Sequence, residues 1–517
     1  MCGAGLVRPL DCREGIVRKR QDWQRANSFI FYQTNFLRVR TVVAFHVSLV
    51  GRRDLSGEIY RQIRRAILER RLQPADRLPP SRELARALAV ARATVTVAYE
   101  RLAAEGFVAF RQGAGTFVSE PAVQSGHDKT THRSSGVLRP RQIWQSIELP
   151  TVFERPAQFD FRSGLCDVSL FPEGEWRRAV TRALHSSAAT AGVYECAAGR
   201  RDLRAAIVRH IGISRSVEAS ADDVIITNGT QQALDLLSRV LLAPGDAIAV
   251  EDPGYDPPRQ LFKALGLRVF GVPVDREGLI VDALPRGVRA VYVTPSHQYP
   301  LSVTLTLARR QALLAWAERN NAAIIEDDYD SEFRFGGRPL EPLQTLDAKG
   351  RVVYVGSFSK TMLPTLRLGF LVAPPSLRAA LHKAKFVSDW HSSTLAQAAL
   401  ARFIDDGAFA RHIRRATALY RERHGMLANV VSRDFADHLE LIPSTTGLHL
   451  TATARTMSAD QIAAVARRAA EHGVAVQVLS TFAVGKSKRA GMVLGYGAMP
   501  TAQIEAGLGL LRACFDG

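Results

Sequence analysis

Cysteine is scarce in this chain. Its 517 residues contain five cysteines, and no two of them form a CxxC pair or a regular spacing. This scarcity excludes a disulfide-stabilised secreted scaffold and a cysteine-rich zinc module. Unpaired thiols of this kind are typical of a protein in a reducing cytoplasm.

Long apolar runs are also missing. No stretch approaches the roughly 20 consecutive apolar residues that a membrane-spanning helix needs. Charged residues interrupt every apolar run before Ser28, which argues against a signal peptide. The sequence therefore predicts a cytoplasmic protein without a membrane partner.

Acidic residues are the third shortage. The chain has 68 Lys and Arg against 50 Asp and Glu, a net charge of +18. Residues 1–150 alone hold 25 Lys and Arg and 13 Asp and Glu, a net charge of +12. This asymmetry predicts an N-terminal part that binds a polyanion, with simple solubility charge as the alternative. Residues 1–45 are basic and irregular, and we interpret them as an N-terminal extension: either a disordered arm or the result of a start codon placed too early.

Residues 46–119 carry the pattern of a small helical domain that ends in a hairpin. Ile59, Ile63 and Ile67 recur at helical spacing, and the neighbouring arginines lie off that stripe. Ser81 is a candidate N-cap for a second helix. Three helices and a hairpin predict a winged helix-turn-helix. The elements predicted after the first helix are helices at 82–89 and 92–105 and strands at 107–111 and 116–118.

Several polar residues of this domain are candidates for DNA contacts. The second helix of a helix-turn-helix enters the major groove, and its first polar residues reach base edges. The alternative is a small helical interaction module whose arginines are only solvated. The residues that we predict to contact DNA are Arg92 and Thr94 at base edges, Ser81 and Arg82 at phosphates, and Arg111 and Gln112 on the wing.

The stretch LPPSRELARALAVARATVTVAYERLAAEGFVAFRQGAGTFV, residues 78–118, resembles the winged-helix domain of GntR-type bacterial transcription regulators. The resemblance covers the whole segment and implies double-stranded operator DNA as a partner. One position departs from it, because the family usually has a serine before the arginine that opens the recognition helix, and this chain has Ala91. Losing such an N-cap costs roughly 1 kcal/mol, so we expect this helix to fray more readily at its start.

The rest of the chain reads as a linker followed by a large domain. Residues 120–157 are rich in Ser, Thr, His, Arg and Pro without a sustained apolar period, which indicates a flexible linker. From Phe159 strands and helices alternate, which predicts a multidomain α/β protein whose domain at 158–517 has a mostly parallel central sheet. A smaller α+β subdomain is expected to close it. The elements predicted in that subdomain are helices at 376–387, 394–404, 409–435 and 458–472 and strands at 447–451 and 474–478.

The stretch VVYVGSFSKTMLPTLRLGF, residues 352–370, places one lysine between two predicted strands. A single lysine is most often a solvated surface charge. Here Lys360 is accompanied by Ser357, Ser359 and Arg367, which suits a site that holds an aldehyde and a phosphate together. Pyridoxal 5'-phosphate (PLP) carries both groups. The sequence predicts that Lys360 forms the imine (Schiff base), that the two serines donate to phosphate oxygens and that Arg367 pairs with the phosphate.

A second phosphate signal lies earlier in the chain. A predicted strand at 224–227 runs into Gly229, Thr230 and Gln231 and then into a helix predicted from Ala233. A strand, a glycine turn and a helix N-terminus offer backbone N–H groups and the helix dipole to a phosphate. Taken alone, this pattern is a weak indication of phosphate binding.

Two more predicted strands end beside groups that suit a ligand. The strand at 247–250 leads to Tyr255 in a Pro-Gly turn, and this ring would either stack on an aromatic cofactor or fill the core. The strand at 288–294 leads to a polar loop at 295–300. Open α/β sheets bind their ligands at the carboxyl ends of strands, so both places are candidates.

An acidic run, Glu326-Asp327-Asp328-Tyr329-Asp330, follows a predicted strand at 323–325. Four carboxylates in five residues repel one another unless a cationic group is near. A metal is one possible partner, but no histidine or further carboxylate stands at a recognisable ligand spacing, so we predict no metal site. PLP fits better, because Asp327 would pair with the pyridine N–H and Tyr329 would hydrogen-bond the ring hydroxyl.

In order and spacing these pieces resemble the fold-type-I aminotransferases over nearly all of residues 158–517. A GntR-type winged helix joined to an aminotransferase-like domain is the architecture of the MocR (GabR-like) regulators. The resemblance implies PLP as the cofactor, with the roles already given to each residue. It also implies a head-to-tail homodimer, in which the segment YECAAG, with Tyr194 and Gly199, reaches the site of the partner subunit.

Two positions depart from that family. Aminotransferases usually place an arginine before a Leu-Gly near the C-terminus to bind the substrate α-carboxylate, and the matching residues here are Val493-Leu494-Gly495. GABA-responsive members carry an arginine two residues past the stacking tyrosine, where this chain has Pro257. Burying a carboxylate without a cation costs several kcal/mol. This argues against GABA as the effector and against efficient transamination, although Lys486, Lys488 or Arg489 could substitute.

The sequence thus predicts a PLP-dependent, DNA-binding transcription regulator. Its effector would be PLP itself, or a small-molecule amine or amino acid condensed with PLP, and binding would change promoter occupancy. Two alternatives stay open at this stage. One is an active aminotransferase with an accessory DNA-binding domain, and the other is a DNA-binding repressor with an inactive dimerisation domain.

Overall fold

The computed structural model of the chain describes residues 47, 54–119, 139–149, 156–187, 193–336, 341–485 and 489–516. The chain divides into two units, Met1–Leu138 and Arg139–Gly517, and each is described by itself. The predicted extension at 1–45 lies outside the described residues, as does most of the predicted linker. Inside the linker range, Gln142–Gln145 forms a 3-10 helix, and the backbone of Glu148 exchanges hydrogen bonds of 3.0 and 3.1 Å with the Gln260 side chain.

Three helices with one shared core build the first unit. The first helix, α1, buries Ile59 and Ile63 completely, two of the isoleucines whose spacing predicts it. Asp54 caps its start, because the carboxylate accepts a hydrogen bond from the Gly57 N–H at 3.2 Å. The three helices are α1 (Leu55–Leu68), α2 (Ser81–Ala87) and α3 (Arg92–Ala104).

The starts of α2 and α3 lack side-chain caps. Ser81 is wrong as the N-cap of α2, because Pro80 takes the cap position and Ser81 is the first helical residue. Proline suits that place, since its fixed φ fits an extended cap residue and no N–H is needed there. Ala91 precedes α3 without a capping hydrogen bond, as the sequence predicts. The hydroxyl of Tyr99 instead holds α3 by donating to the Pro79 carbonyl at 2.8 Å.

A β-hairpin follows the three helices. Strands β1 (Val108–Arg111) and β2 (Gly115–Val118) pair antiparallel, with Arg111 opposite Gly115. Gly113 in the turn and Gly115 at the start of β2 have φ values of +74° and +116°, which residues with a side chain rarely adopt. The hairpin after three helices confirms the predicted winged helix-turn-helix.

A mostly parallel sheet organises the second unit. After a short strand, β3 (Phe159–Asp160), its strands are β4 (Val224–Thr227), β5 (Ala247–Asp252), β6 (Arg268–Asp275), β7 (Gly278–Leu279), β8 (Val288–Val293), β9 (Ala323–Asp328), β10 (Val352–Ser357) and β11 (Gly369–Val372). The order is β4-β11-β10-β9-β8-β5-β6-β7. The strands from β10 to β6 in that order run parallel, while β11 is antiparallel to both of its neighbours. This sheet confirms the predicted fold class.

Helices cover both faces of this sheet. Along β5, Ile248 and Val250 pack into one apolar core and Ala247 and Ala249 into another, the alternation expected of a strand buried on both faces. None of the helices within the described ranges is long and apolar enough to cross a membrane. The covering helices are α4 (Glu173–Ser187), α5 (Arg201–Arg215), α6 (Thr230–Leu241), α7 (Asp256–Ala264), α8 (Leu307–Arg319), α9 (Leu343–Leu346), α10 (Pro375–Asp389) and α11 (Thr394–Asp405).

The C-terminal part forms an α+β subdomain as predicted, but the helices predicted in it at 376–387 and 394–404 are instead α10 and α11, which pack on the large sheet. Its elements are helices α12 (Ala408–Asp434), α13 (Ala459–Glu471) and α14 (Thr501–Ala513) and strands β12 (Leu439–Leu441), β13 (His449–Ala454), β14 (Val474–Ala475), β15 (Gln477–Val478) and β16 (Gly491–Gly495). One antiparallel sheet has the order β12-β13-β16-β15. The single strand predicted at 474–478 is wrong, because β14 pairs with β3 while β15 pairs with β16. The apolar alternation runs through both strands, so only their partners reveal the break.

Candidate functional site

Neighbouring strand ends bring the predicted phosphate residues together. In the register of the sheet, Gly369 of β11 lies opposite Thr227 of β4 on one side and Ser357 of β10 on the other. Gly229 and Thr230 follow β4 after one intervening residue, Asn228. The glycine turn and Ser357, which are far apart in sequence, therefore share one edge of the sheet.

Arg367 lies against the glycine turn. Its Nη2 donates to the carbonyl of Asn228 at 2.8 Å. A Cβ on Gly229 would lie 2.9 Å from that nitrogen, and Gly229 also has a φ of +77°, so the close approach depends on glycine. Helix α6 begins at Thr230, earlier than predicted, which puts Thr230 and Gln231 in its first turn. The free N–H groups of a first turn and the guanidinium together suit an anion.

Lys360 lies in the segment that joins β10 to β11. Its ammonium donates a short hydrogen bond to the carbonyl of Gly164. Desolvation lowers the pKa of Lys360, which increases the share of the neutral, nucleophilic amine. Just before it, the N–H of Ser359 donates to the Ser357 hydroxyl at 3.1 Å, so the two serines form one turn beside the lysine.

Asp327 has one free carboxylate oxygen inside the protein. Its Oδ2 accepts a hydrogen bond from the Tyr292 hydroxyl at 2.7 Å, while its Oδ1 is buried without a partner among the described residues. Burial raises the pKa of Asp327 to about 7. An unsatisfied buried oxygen of this kind is costly and is the group that accepts an N–H from a bound ligand.

The other carboxylates of the acidic run have partners in the protein. Asp328 accepts from the Arg215 guanidinium at 2.8 Å, and both side chains are buried. Glu326 lies 3.8 Å from the Arg310 guanidinium and accepts backbone N–H bonds of 2.9 Å. The repulsion expected within the run is thus relieved by cations from other elements, and Asp327 differs from its neighbours by its free oxygen.

Tyr329 and Asp330 meet at one imidazole. Nδ1 of His297 lies 3.0 Å from the Tyr329 hydroxyl and 3.0 Å from each Asp330 oxygen. His449 adjoins this group, and its Nε2 lies 3.1 Å from the Pro300 carbonyl. His297, Asp330 and His449 each offer a metal-ligand atom within 4.8 Å of the others. The sequence missed this cluster because its members come from three separate segments, and the prediction of no metal site stays a prediction.

Tyr255 stands at the start of α7 with its ring accessible. The side chain is 39% exposed, so it does not simply fill the core. Its ring meets that of Tyr299 edge to face, with centroids 5.3 Å apart. The partial exposure of Tyr255 argues against core filling, and its stacking on a cofactor stays a prediction.

Sequence reasoning missed three side chains that shape the site. Tyr292 of β8 holds Asp327, and the Tyr299 hydroxyl lies 2.6 Å from that of Ser163. Ser163 directly precedes the glycine that binds Lys360. Tyr299 belongs to the polar loop at 295–300, so the position of that loop at a strand end was the available signal. Nothing in the local pattern singles out Ser163.

Glu251 provides a pH-dependent prediction. Burial raises its pKa to about 7, although Thr294 and Gln298 donate hydrogen bonds to it. The unfolded value is near 4.5, so the folded state holds this proton more tightly. The resulting stabilisation is complete below the unfolded pKa and is lost as the pH rises through about 7. Glu251→Gln should remove this loss and stabilise the cofactor-free protein at about pH 8 by up to roughly 3 kcal/mol.

The measurement is Tm by calorimetry at mildly acidic and mildly alkaline pH. Glu318→Gln is the matched control, because Glu318 is exposed and, among the described residues, its side chain forms only a surface ion pair of 3.5 Å with Lys349. Equal pH dependence in wild type and Glu251→Gln would contradict the prediction.

In the described part of the first unit, the predicted DNA-contacting arginines differ in their partners from Arg61 and Arg71, although Arg65, Arg70, Arg77 and Arg86 also form no ion pair there. Among the described residues, Arg82, Arg92 and Arg111 form no ion pair, whereas Arg61 and Arg71 pair with carboxylates at 2.8 Å. Arg92 and Arg82 are exposed at the starts of α3 and α2. An arginine without a carboxylate partner keeps its charge available to phosphates and bases.

The structure also places the first residues of α2 and α3 next to each other. Nε of Arg92 donates to the Ser81 hydroxyl at 3.4 Å, so the predicted base contact and the predicted phosphate contact are adjacent. Thr94 is half-buried on the same first turn of α3. The hydroxyl of Thr96 donates a hydrogen bond to the Arg92 carbonyl at 3.1 Å. On the wing, the guanidinium of Arg111 lies 4.9 Å from the centre of the Phe117 ring, while Gln112 is exposed in the turn.

The remaining positions considered in the sequence all belong to the second unit. Val493 is fully buried in β16, and Pro257 lies in the first turn of α7. Arg489 donates to the Val274 carbonyl at 2.8 Å, and Lys486 and Lys488 lie outside the described residues. Tyr194 is largely exposed and packs on Trp390, with ring centroids 4.5 Å apart, and Gly199 has a φ of +93°.

Comparison with known families matches both units. The aminotransferase class I and II family matches residues 160–505, and the GntR family of bacterial regulatory proteins matches residues 55–118. Among solved structures, a kynurenine aminotransferase of Pyrococcus horikoshii is similar with a TM-score of 0.65 and 26% identity, over 75% of this chain and 96% of that one. LysN, an α-aminoadipate aminotransferase of Thermus thermophilus, is similar with a TM-score of 0.66 and 29% identity, over 73% of this chain and 97% of that one.

Curated relatives match both units in one chain. The probable rhizopine catabolism regulatory protein MocR of Rhizobium meliloti is 35% identical over 461 residues, which are 89% of this chain and 93% of that protein. The pyridoxine biosynthesis transcriptional regulator PdxR of Corynebacterium glutamicum is 32% identical over 445 residues, which are 86% of this chain and 92% of that protein. The chain therefore belongs to the GntR family of bacterial regulatory proteins and, within it, to the MocR-type regulators, which join a winged helix to an aminotransferase class I and II domain.

Proposed function

We propose that this regulator uses PLP, and that its aminotransferase-like domain senses PLP or an amine or amino acid bound with it. The observation that carries the cofactor is the buried Oδ1 of Asp327, which has no partner among the described residues. Such an oxygen can accept a hydrogen bond from the N–H of a protonated pyridine ring. Arg367 and the first turn of α6 supply the cationic and N–H groups that suit a phosphate.

Each predicted residue then has a defined part. PLP supplies an aldehyde that bonds to amines and a ring that draws electrons away when its nitrogen is protonated. Lys360 would hold the aldehyde carbon, Asp327 the ring N–H and Tyr329 the ring hydroxyl. His297 and Asp330 would orient the Tyr329 hydroxyl, since both contact it directly or through the imidazole. The residues proposed for the phosphate are Gly229, Thr230, Gln231, Ser357, Ser359 and Arg367, with Tyr255 proposed to stack on the ring.

The DNA half of the proposal rests on the unpaired arginines of the first unit. Arg92 and Thr94 would read base edges, while Ser81 and Arg82 would contact phosphates and the wing residues Arg111 and Gln112 would reach a neighbouring groove or phosphate. The relatives named for rhizopine catabolism and pyridoxine biosynthesis support a role in controlling metabolic genes.

A head-to-tail homodimer in the bacterial cytoplasm completes the proposal. Tyr194 supports an interface, because it is 74% exposed and forms one aromatic group with Trp390 and Phe386, which are themselves half-exposed. Exposed apolar groups of this kind mark interaction surfaces more often than isolated side chains do. The segment at 120–157 would link the DNA-binding and cofactor-binding domains.

An active aminotransferase is the second candidate. The similarity to kynurenine and α-aminoadipate aminotransferases favours it. The apolar Val493 stands against it, because a substrate carboxylate would find no cation at that position. Multiple turnovers with an amino acid and a keto acid would support this candidate over a sensor.

The proposal is tested by measuring binding to the intergenic DNA upstream of the protein's own gene while PLP is titrated, with and without candidate amines. A sensor of typical coupling should change its DNA affinity by about 5–150-fold. A protein that stays free of PLP, with unchanged DNA affinity, would contradict the proposal and favour a repressor with an inactive dimerisation domain.

A further inference from the structure

A row of uncharged side chains crosses the small antiparallel sheet of the C-terminal subdomain. In β16, Val493 lies opposite Thr451 of β13 on one side and Gln477 of β15 on the other. Side chains of directly opposed residues in antiparallel strands project from the same face of the sheet. These three positions, which we call the neutral row, therefore form one continuous surface.

Hydrogen bonds connect the neutral row to the Lys360 amine through two neighbouring residues, Ser163 and Gly164. Oε1 of Gln477 accepts from the Ser163 N–H at 2.8 Å and from the Ser163 hydroxyl at 2.6 Å. The next residue, Gly164, accepts from the Lys360 ammonium through its carbonyl. Thr451 donates to the carbonyl of Pro300, at the end of the polar loop. The row thus forms a wall of side chains that is connected to the Lys360 amine through Gln477, Ser163 and Gly164.

This wall carries hydrogen-bonding groups but no fixed charge among the described residues. Val493 packs in an apolar cluster with Tyr299, Leu479 and Phe482. The Tyr299 hydroxyl lies 2.6 Å from the Ser163 hydroxyl. His449, which adjoins Tyr299, has a pKa well below its ordinary value because it is buried, so it is neutral near pH 7.

The nearby arginines are engaged by other groups. Arg162 donates to both oxygens of Asp160, at 2.8 and 2.6 Å, and all of these atoms are buried. Arg489 donates to the Val274 carbonyl at 2.8 Å. A ligand carboxylate placed on the neutral row would lose its hydration without gaining a salt bridge, which is strongly unfavourable. A hydroxyl both donates and accepts, so it can enter the network of Ser163, Gln477 and Tyr299.

We propose that the effector is a primary amine whose other polar groups are hydroxyls, such as an amino alcohol, and that amino acids are disfavoured by the neutral row. This inference rests on the proposed function, since it assumes that the amine is bound at PLP beside Lys360. It requires no oxidant or second reactant, because the effector amine would take the place of the Lys360 amine on the PLP aldehyde carbon, and the Lys360 amine would be released.

The test is a titration of the full-length, PLP-loaded protein with matched ligand pairs: alaninol against alanine, and serinol against serine. The readout is the ligand concentration that half-saturates the change in visible absorbance. Each value is divided by that measured with free PLP in the same buffer, which removes differences in intrinsic amine reactivity. Each amino alcohol should half-saturate at a concentration about tenfold or more below that of its amino acid.

Two substitutions should reverse this preference. Val493→Arg places a cation in the middle of the row, and Gln477→Arg places one at a half-buried position that does not require complete burial of the guanidinium. In either variant alanine should gain about tenfold or more relative to alaninol. Val493→Leu is the matched control, because it keeps the row uncharged and should keep the preference of the wild type.

The outcomes separate this inference from the proposed function. Equal or better binding of alanine by the wild type, or an unchanged ratio in a folded arginine variant, would overturn the inference while leaving PLP binding intact. A protein without a PLP absorbance band would contradict the proposed function, and this inference with it.

Discussion

Replacing Lys360 with alanine should abolish the visible absorbance band of the PLP-loaded protein and weaken PLP retention by about 100-fold or more, equivalent to about 2.7 kcal/mol. The reason is that Lys360 would provide the covalent linkage, while the contacts of Asp327 and Arg367 remain. The lysine is poised for that role by its lowered pKa and by its position at the carboxyl end of β10. Absorbance spectra and equilibrium dialysis of PLP measure the two effects separately.

Two control variants sharpen the experiment. Lys360→Arg keeps the positive charge but cannot form the linkage, so it should lose the band as alanine does. Lys383→Ala removes an exposed lysine of α10 and should change nothing. Borohydride reduction followed by peptide mass mapping should place PLP on Lys360 in the wild type. A persistent band in Lys360→Ala, or PLP on another lysine, would refute the assignment of the site.

Replacing Arg92 with alanine should weaken binding to the operator by about 10–100-fold, because a bidentate base contact contributes about 1–3 kcal/mol. Arg92 is exposed at the first position of α3 and has no carboxylate partner among the described residues. Arg82→Ala should instead weaken binding to all DNA sequences alike and lower the salt dependence by about one counterion, as expected of a phosphate contact. Fluorescence anisotropy at several salt concentrations distinguishes the two behaviours.

The matched control is Arg71→Ala, which removes the same charge from the same unit. Arg71 is exposed but forms an ion pair with Glu69 at 2.8 Å, so its positive charge is balanced by a carboxylate of the protein. Its loss should change operator affinity by much less than the loss of Arg92. Neither variant should alter the PLP absorbance band. Loss of that band in Arg92→Ala would count against separate DNA-binding and cofactor-binding units. Equal effects of Arg92→Ala and Arg71→Ala on DNA binding would count against Arg92 as a base contact.

Local pattern in the sequence was enough to identify both domains and most of the candidate site. The isoleucine spacing of α1 and the glycine-rich turn between β1 and β2 depend on helical periodicity and on positive φ, which are properties of short segments. Lys360, Arg367 and the turn at Gly229 were found in the same way, since each follows a strand whose apolar run is visible in the sequence. Helix and strand ends were less accurate: α6 starts at Thr230, and β9 continues to Asp328.

The local sequence pattern did not show which residue caps a helix or which strands pair with one another. Ser81 has the chemistry of an N-cap, but Pro80 takes that place. The strand predicted at 474–478 has one continuous alternation, but its two halves pair with different sheets. In both cases the residue type is compatible with two structures, and neighbours distant in sequence select between them.

The sequence alone therefore determined the two folds, the lysine, the acidic run and the missing carboxylate arginine, because each is encoded by residue type and short-range spacing. The tertiary structure alone decided which carboxylate keeps a free oxygen, since Arg215, Arg310 and His297 reach the neighbours of Asp327 from other elements. It also decided that Thr451, Val493 and Gln477 form one uncharged wall, because strand register brings them together across three separate segments. Pairing and burial act between segments, and no single stretch of the chain contains that information.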